Sequence, residues 1–335
     1  MLAGEQESAV FFHLCRECQE GLKYSLMTSI NTKELATELN TLRDCIRWAV
    51  SAFNAAELSF VQGMPNALDE AVYLCLAALH LPPDFGENYF DCKLTLAERK
   101  AVLDYYRQRI EQKKPAAYIT NEAWFAGLDF YVDERVLIPR SPFAELIQQQ
   151  FSPWVLDEEI HNILELCTGS GCIAIACAHV FENAKVVASD ISADALAVAE
   201  INRHRHDLED RLELVQSDLF ENIPNRQYDL IVSNPPYISE QEMTLLSDEL
   251  KSEPALGLVA GDQGLDVVIP MLKQAREFLS DNGVLVVEVG YSWPALEAAL
   301  PNVPFVWLDF EYGGDGVFML TAEQLDRHQD DFDAL

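Results

Sequence analysis

Asn234-Pro235-Pro236-Tyr237 is the stretch whose residue types and order could do chemistry. It closes Tyr228-Asp229-Leu230-Ile231-Val232-Ser233, an apolar, β-branched run that reads as a fully buried strand. Proline has no N–H to give a sheet ladder, so the strand must end at Asn234. The residue before a proline is also pushed out of the α region. The side-chain oxygen of Asn234 and the carbonyl of Pro235 are thereby held at the strand's C-terminal edge, with Tyr237 close by. In open α/β sheets that edge is where ligands bind. Two neighbouring acceptors are suited to gripping an –NH2 group. Alone, the motif reads equally as a strand followed by a proline turn.

A second constellation lies upstream. Glu165-Leu166-Cys167-Thr168-Gly169-Ser170-Gly171 follows a predicted strand and opens a predicted helix. Two glycines two apart let the backbone turn tightly and lie against a ligand; Ala174 stands where a dinucleotide fingerprint has its third glycine. Asp190, followed by Ile191, ends the next strand, the usual place for a carboxylate that bonds ribose hydroxyls. Asp218 ends the third, placed to accept from an exocyclic adenine amine while Leu219 covers the ring. Singly, each acid is an ordinary strand-end residue; three at successive strand ends, with Asn234 on the fourth, make a site. An acid at the first strand repels a pyrophosphate and suits the cationic sulfonium and amine of S-adenosylmethionine, which favours that cofactor over a nicotinamide. Arg140, a lone cation in Ile138-Pro139-Arg140-Ser141-Pro142, reads either as a surface charge or as a group positioning cofactor or substrate.

The elements that must position these residues fall into two kinds. Residues 1–113 read as a small helical domain with no catalytic pattern and a secondary role in substrate docking. One helical stripe runs from Asn31 through Leu35, Leu39, Leu42, Ile46 and Phe53; others span Leu68–Leu79 and start at Thr95, where Glu98 completes a capping box. Residues 114–142 alternate around Gly127-Leu128-Asp129 as a hairpin linker. Residues 143–335 read as one domain, in which from residue 161 strands alternate with helices, the pattern of a parallel α/β sheet. Pro304–Phe310 and Gly316–Leu320, across a turn at Tyr312-Gly313-Gly314-Asp315, add an antiparallel C-terminal hairpin. Asp326–Leu335, with four Asp, reads as a frayed end.

The 335 residues carry a net charge of −32, of which −28 falls on residues 121–335. Such a surface is poorly built to neutralise DNA phosphates and would attract a basic partner, although acidity also serves solubility. No apolar run reaches the roughly 18 residues that span a bilayer, and the N-terminus lacks the basic region of a signal peptide, so a cytoplasmic protein is expected. The eight cysteines sit mostly in apolar patterns (Cys75, Cys167, Cys172, Cys177) and read as reduced core residues. Cys15 and Cys18 form a lone Cys-x-x-Cys with no second pair, so no metal site is expected.

Together the Glu165–Gly171 loop, Asp190, Asp218 and Asn234–Tyr237 resemble a class I S-adenosylmethionine-dependent methyltransferase, and more narrowly the protein-glutamine methyltransferases. The likeness continues through Glu253-Pro254-Ala255-Leu256 and Gly261-Asp262-Gln263-Gly264-Leu265-Asp266. Upstream, Ala117–Gly127 and Val136–Pro142 look most like the branch called PrmB, which methylates a glutamine of the third large-subunit ribosomal protein. The release-factor branch usually has Gly where this chain has Cys167, and acidic and Thr residues where it has Ser141-Pro142-Phe143-Ala144. The resemblance implies a Rossmann-like fold and S-adenosylmethionine held by Glu165, Cys167, Thr168, Gly169, Ser170, Gly171, Asp190, Ile191, Asp218, Leu219, Asn234 and Arg140. It implies catalysis by Asn234, Pro235, Pro236 and Tyr237 on a basic ribosomal protein. A release-factor glutamine and, with a worse charge match, a DNA adenine are the competing acceptors.

Overall fold

The computed structural model describes residues 30–155, 160–311 and 313–335. Cys15, Cys18 and the Tyr312 of the expected turn lie outside them. The chain divides into two compact units, Met1–Thr120 and Asn121–Leu335. The segment expected to link them is thus shared, 114–120 going to the first and 121–142 to the second.

Among the described residues of the first unit, the α-helices α1 (Thr32–Glu38), α2 (Leu42–Ala55), α3 (Ala67–Ala78), α4 (Leu96–Glu111) and α5 (Ala116–Thr120) converge on a core around Phe53, Leu74 and Tyr106. The stripe from Asn31 to Phe53 is two helices, not one. Thr41 forms a capping box with Asp44 and starts α2 afresh. That start signal was masked by an apolar pattern that continues across the break. Asn31 and Thr95 cap α1 and α4 as expected.

The second unit opens with a hairpin, β1 (Ala123–Phe125) and β2 (Leu128–Phe130). Its turn is Ala126-Gly127, both at positive φ, one residue earlier than expected. Tyr118 and Ile119, read as strand, belong to α5. After α6 (Phe143–Gln148) come β3 (Asn162–Leu166), α7 (Cys172–Val180), β4 (Lys185–Asp190), α8 (Ala193–Arg205), β5 (Leu212–Gln216) and β6 (Tyr228–Ser233). The chain continues through α9 (Glu240–Leu245), α10 (Val268–Phe278), β7 (Leu279–Glu288), α11 (Trp293–Ala299), β8 (Val306–Trp307) and β9 (Val317–Thr321), and ends in α12 (Ala322–Arg327) and α13 (Gln329–Asp333).

Strands β3 to β9 form one sheet in the order β5-β4-β3-β6-β7-β9-β8. The first five run parallel, and β9 is antiparallel to both β7 and β8. The antiparallel hairpin is present, with its second strand on the inside. Val317-Phe318-Met319-Leu320 is buried throughout, as a central strand must be, whereas Val306-Trp307 is half-buried and takes the edge. Alternation along β6 sends Leu230 and Val232 to the apolar layer that includes α7, and Ile231 to the layer that includes α10. From β3 the chain winds out to β5 and returns to β6 beside β3. The C-terminal ends of β3 and β6 therefore flank a topological switch point, where a crevice opens. Among the described residues no helix is long and apolar enough to cross a membrane.

The C-terminal segment is ordered, not frayed. Thr321 and Gln324 form a capping box that starts α12, and Leu325 and Phe332, seven residues apart, bury their side chains in the α10-side layer. The acidic residues between them mask that spacing. Phe332→Ala should destabilise this unit by about 3–5 kcal/mol, the usual loss for a buried aromatic. Denaturant unfolding monitors it, and a change under about 0.5 kcal/mol would mean the tail is dispensable.

Candidate active site

A cavity of about 120 Å³ lies at the switch point. Its wall brings together Glu165, Cys167, Thr168, Gly169 and Ser170 of the loop after β3, Asp190 and Ile191 after β4, Arg140, and Asn234 and Pro236 after β6. Gly171, Pro235 and Tyr237 are not among the residues that line it. Asp218, exposed beyond β5, and half-buried Leu219 are also not part of it, although the Asp218 charge acts on the Cys167 thiol.

The loop is braced from inside. Buried Glu165 accepts from the Thr168 hydroxyl and from the Ala174 N–H at 2.9 Å, tying the end of β3 to the first turn of α7. Asp190 accepts from Gly169 N–H and Ser192 N–H, both at 2.9 Å. Thr168 N–H donates to Ser189 and Gly171 N–H to Thr168. Four amides that could have cradled a phosphate thus already donate within the protein. Cys167 holds φ +59°, a left-handed conformation that glycine adopts freely and a β-carbon resists. Burial, with help from the Asp190 charge, pushes its thiol up to about 12, which leaves it neutral and unreactive. Gly171, at φ +82°, brings its Cα close against Ala199 of α8.

Glu165 departs from the expected role. Burial pushes its carboxyl up to about 8 against the pull of Thr168 and Ala174, so near neutrality it holds a proton and contributes little charge to the cavity. Burial also raises Asp190, opposed by the backbone N–H groups of Ser192 and Gly169.

Arg140 is neither a loose surface charge nor free to grip a ligand's carboxylate. Its guanidinium binds Glu253 through two bonds, at 2.7 and 2.9 Å, and the Glu253 side chain is fully buried. The next residue, Ser141, donates to the buried Glu288 carboxylate at 2.5 Å. Consecutive residues of the Pro139–Pro142 segment thus hold carboxylates from two separate parts of the chain. Arg135 also lines the cavity, engaged by Asp133.

Asn234 and Pro235 stand out by contrast. Neither the Asn234 side chain nor the Pro235 carbonyl has a hydrogen-bond partner among the described residues. The motif around them is fixed firmly. Ser233 donates to the Leu166 carbonyl at 2.8 Å, Ser292 donates to the Tyr237 carbonyl at 2.6 Å, and the Tyr237 hydroxyl donates to Glu288 at 3.2 Å. A β-carbon on Gly290 would stand 2.5 Å from the Tyr237 ring, and one on Gly264 2.1 Å from the Tyr237 carbonyl oxygen. Glu288 and Ser292, which carry much of this bracing, were not singled out by sequence, and Glu253 was named only within the Glu253–Leu256 likeness, with no role. Glu288 left a signal of its own, a carboxylate ending the apolar run Val284–Val287. Among the described residues no group of three or more His, Cys, Asp or Glu side chains could hold a metal ion.

Residues 150–252 match the methyltransferase small domain family. A ribosomal protein uL3 glutamine methyltransferase of Francisella tularensis subsp. tularensis is 46% identical over 301 residues, covering 90% of this chain and 96% of the relative. One of Neisseria meningitidis serogroup A is 49% identical over 301 residues, covering 89% and 99%. The chain belongs to the ribosomal protein uL3 glutamine methyltransferase family. Among solved structures, the 16S rRNA N2 G1207 methyltransferase of T. Thermophilus, in complex with AdoMet and guanosine, is a distant likeness. It is 17% identical at a TM-score of 0.42, covering 60% of this chain and 49% of that one. The class I methyltransferase fold expected from sequence is the fold observed, and the chain is a methyltransferase of this family.

The Glu165 shift makes stability depend on pH with a definite sign. Between its ordinary value of 4.5 and about 8, the folded state keeps a proton that the unfolded state has released. Stability therefore falls as pH rises through that window. Thermal unfolding of Glu165→Gln, which cannot titrate, should lose less stability than wild type from pH 5 to 8. Parallel losses would show that Glu165 ionises normally.

Proposed function

We propose that this enzyme transfers a methyl group from S-adenosylmethionine to the side-chain amide nitrogen of a glutamine in ribosomal protein uL3. The observation that carries the reading is a pair of acceptors, Asn234 Oδ1 and the Pro235 carbonyl, that have no partner among the described residues and stand on a braced turn at the switch point. S-adenosylmethionine supplies an electrophilic methyl on a cationic sulfur. The loop fits such a group better than a pyrophosphate, because its amides donate to Asp190, Ser189, Thr168 and Glu165. Asp190 stands at the end of β4, where a carboxylate can accept from ribose hydroxyls, and Ile191 lines the cavity beside it.

A carboxamide nitrogen is a poor nucleophile, since its lone pair is delocalised into the carbonyl. Asn234 and Pro235 accept both of its N–H hydrogens, fix its orientation and favour the positive charge that grows on it. The protein contributes positioning and electrostatics with no early general base. Once methylated, the nitrogen is acidic and releases its proton to water. Tyr237 packs beside the planar amide.

The −28 balance of residues 121–335 supports a basic protein acceptor over nucleic acid. Electrostatic attraction of this kind raises association rate and is screened over about 10 Å at 0.1 M salt. Methylation of uL3 should therefore slow with ionic strength, chiefly through kcat/KM. Incubation with labelled cofactor and, separately, uL3, release factors and DNA tests the acceptor by mass spectrometry. A methylated release-factor glutamine with uL3 untouched would overturn this choice. Asp190→Ala should weaken cofactor binding by about 1.5–3 kcal/mol; unchanged affinity by calorimetry would reduce Asp190 to a brace for the loop.

A further inference from the structure

Tyr237 is anchored at three points, and the anchors sit on alternate residues of one turn. Glu288 accepts from its hydroxyl at 3.2 Å, Gly290 closes on its ring, and Ser292 donates to its carbonyl at 2.6 Å. Gly290 and Ser292 fix the ring plane and the backbone. Among the described residues Glu288 alone holds the hydroxyl, and of the three anchors it is the ionisable one. It is 5% exposed at the end of β7, and its other oxygen accepts from Ser141. We propose that Glu288 is a positioning residue for methyl transfer. Through Tyr237 it locks the Asn234–Tyr237 turn to the Pro139–Pro142 segment, and its carboxylate stands behind the tyrosine. The proposal rests on the reading that an amide nitrogen is methylated at this turn.

Burying a carboxylate is costly unless donors compensate it. Here the donors are two hydroxyls, Tyr237 and Ser141, not a cation. Burial raises the Glu288 carboxyl above its ordinary range, opposed by the Ser141 and Tyr237 hydroxyls and by the charge of Arg140, whose guanidinium is itself engaged by Glu253 in a bidentate pair. Tyr291, on the same turn, is 82% exposed and acts electrostatically on Tyr237. The carboxylate is thus tied to the rest of the site through hydroxyls, and one of those hydroxyls belongs to the motif. Methyl transfer to a neutral amide leaves positive charge on the nitrogen until its proton departs. A turn held in register keeps the acceptors aimed, and Glu288 in its ionised form would favour that charge.

The test is a double-mutant cycle on the full chain with uL3 and S-adenosylmethionine. Glu288→Gln keeps the shape and an acceptor for the hydroxyl but removes the charge; Tyr237→Phe keeps the ring but cuts the link. Each should lower kcat by about tenfold or more, with the cofactor Kd within about twofold. The double variant should be no slower than the slower single, because both changes break one connection. Glu288→Asp, which restores the charge, should recover part of the loss. Wild-type kcat in Glu288→Gln, independent effects that multiply in the double, or a loss confined to cofactor affinity would each overturn the proposal. Should Glu288→Gln not fold, wild-type kcat in Tyr237→Phe would overturn it equally. A wild-type enzyme that leaves uL3 unmethylated contradicts the underlying reading instead, so the two failures are distinguishable.

Discussion

Two successive prolines after β6 impose the constraint on which the active site is built. Neither Pro235 nor Pro236 has an N–H, so the backbone beyond Ser233 cannot be held by continuing the ladder with β3 or β7. What the ladder cannot supply comes from side chains and close packing. Ser233 grips the end of β3, Ser292 and Glu288 grip Tyr237, and Gly264 and Gly290 let backbone come within contact of that residue. The consequence is chemical. The turn is held at several points, yet its two acceptors have no hydrogen-bond partner among the described residues.

The same economy runs through the loop after β3. Its amides are occupied by Glu165, Asp190, Ser189 and Thr168, so the loop holds its shape without a ligand. Glu165 is too buried to ionise readily and serves the fold more than the cavity charge. Asn202, wholly buried on α8, donates to the carbonyls of Tyr131 and Ser170 and accepts from Tyr131 N–H, joining the hairpin's exit to the loop. Arg140 and Ser141 make the equivalent join on the other side, to Glu253 and Glu288. Polar groups that are fully satisfied in this way specify one arrangement and resist drift.

Much of this was legible in the sequence because it rests on local signals. The strand cut by Pro235-Pro236, the glycine loop opening α7, and Asp190 at a strand end each follow from period, breaker and position. What stayed hidden depends on distant partners. Nothing near Arg140 announces Glu253, 113 positions on, and nothing near Ser141 announces Glu288, 147 positions on. Asp218 shows the converse. A strand-end carboxylate was expected at the site, and the chain after β5 leaves it exposed, outside the cavity wall. The ordered tail misled for a compositional reason, since four aspartates outweighed the seven-residue spacing of Leu325 and Phe332 that packs it down.

The central claim is that Asn234 acts on the acceptor amide by orientation, and not on the cofactor or on the fold. Turnover and cofactor affinity measured side by side in Asn234→Ala test it most directly. The account predicts a fall in kcat of about a hundredfold or more, the scale of losing one preorganised partner of the transition state, with the cofactor Kd within a few-fold of wild type. Near-normal turnover in that variant, or a loss of cofactor binding that accounts for the whole defect, would contradict it.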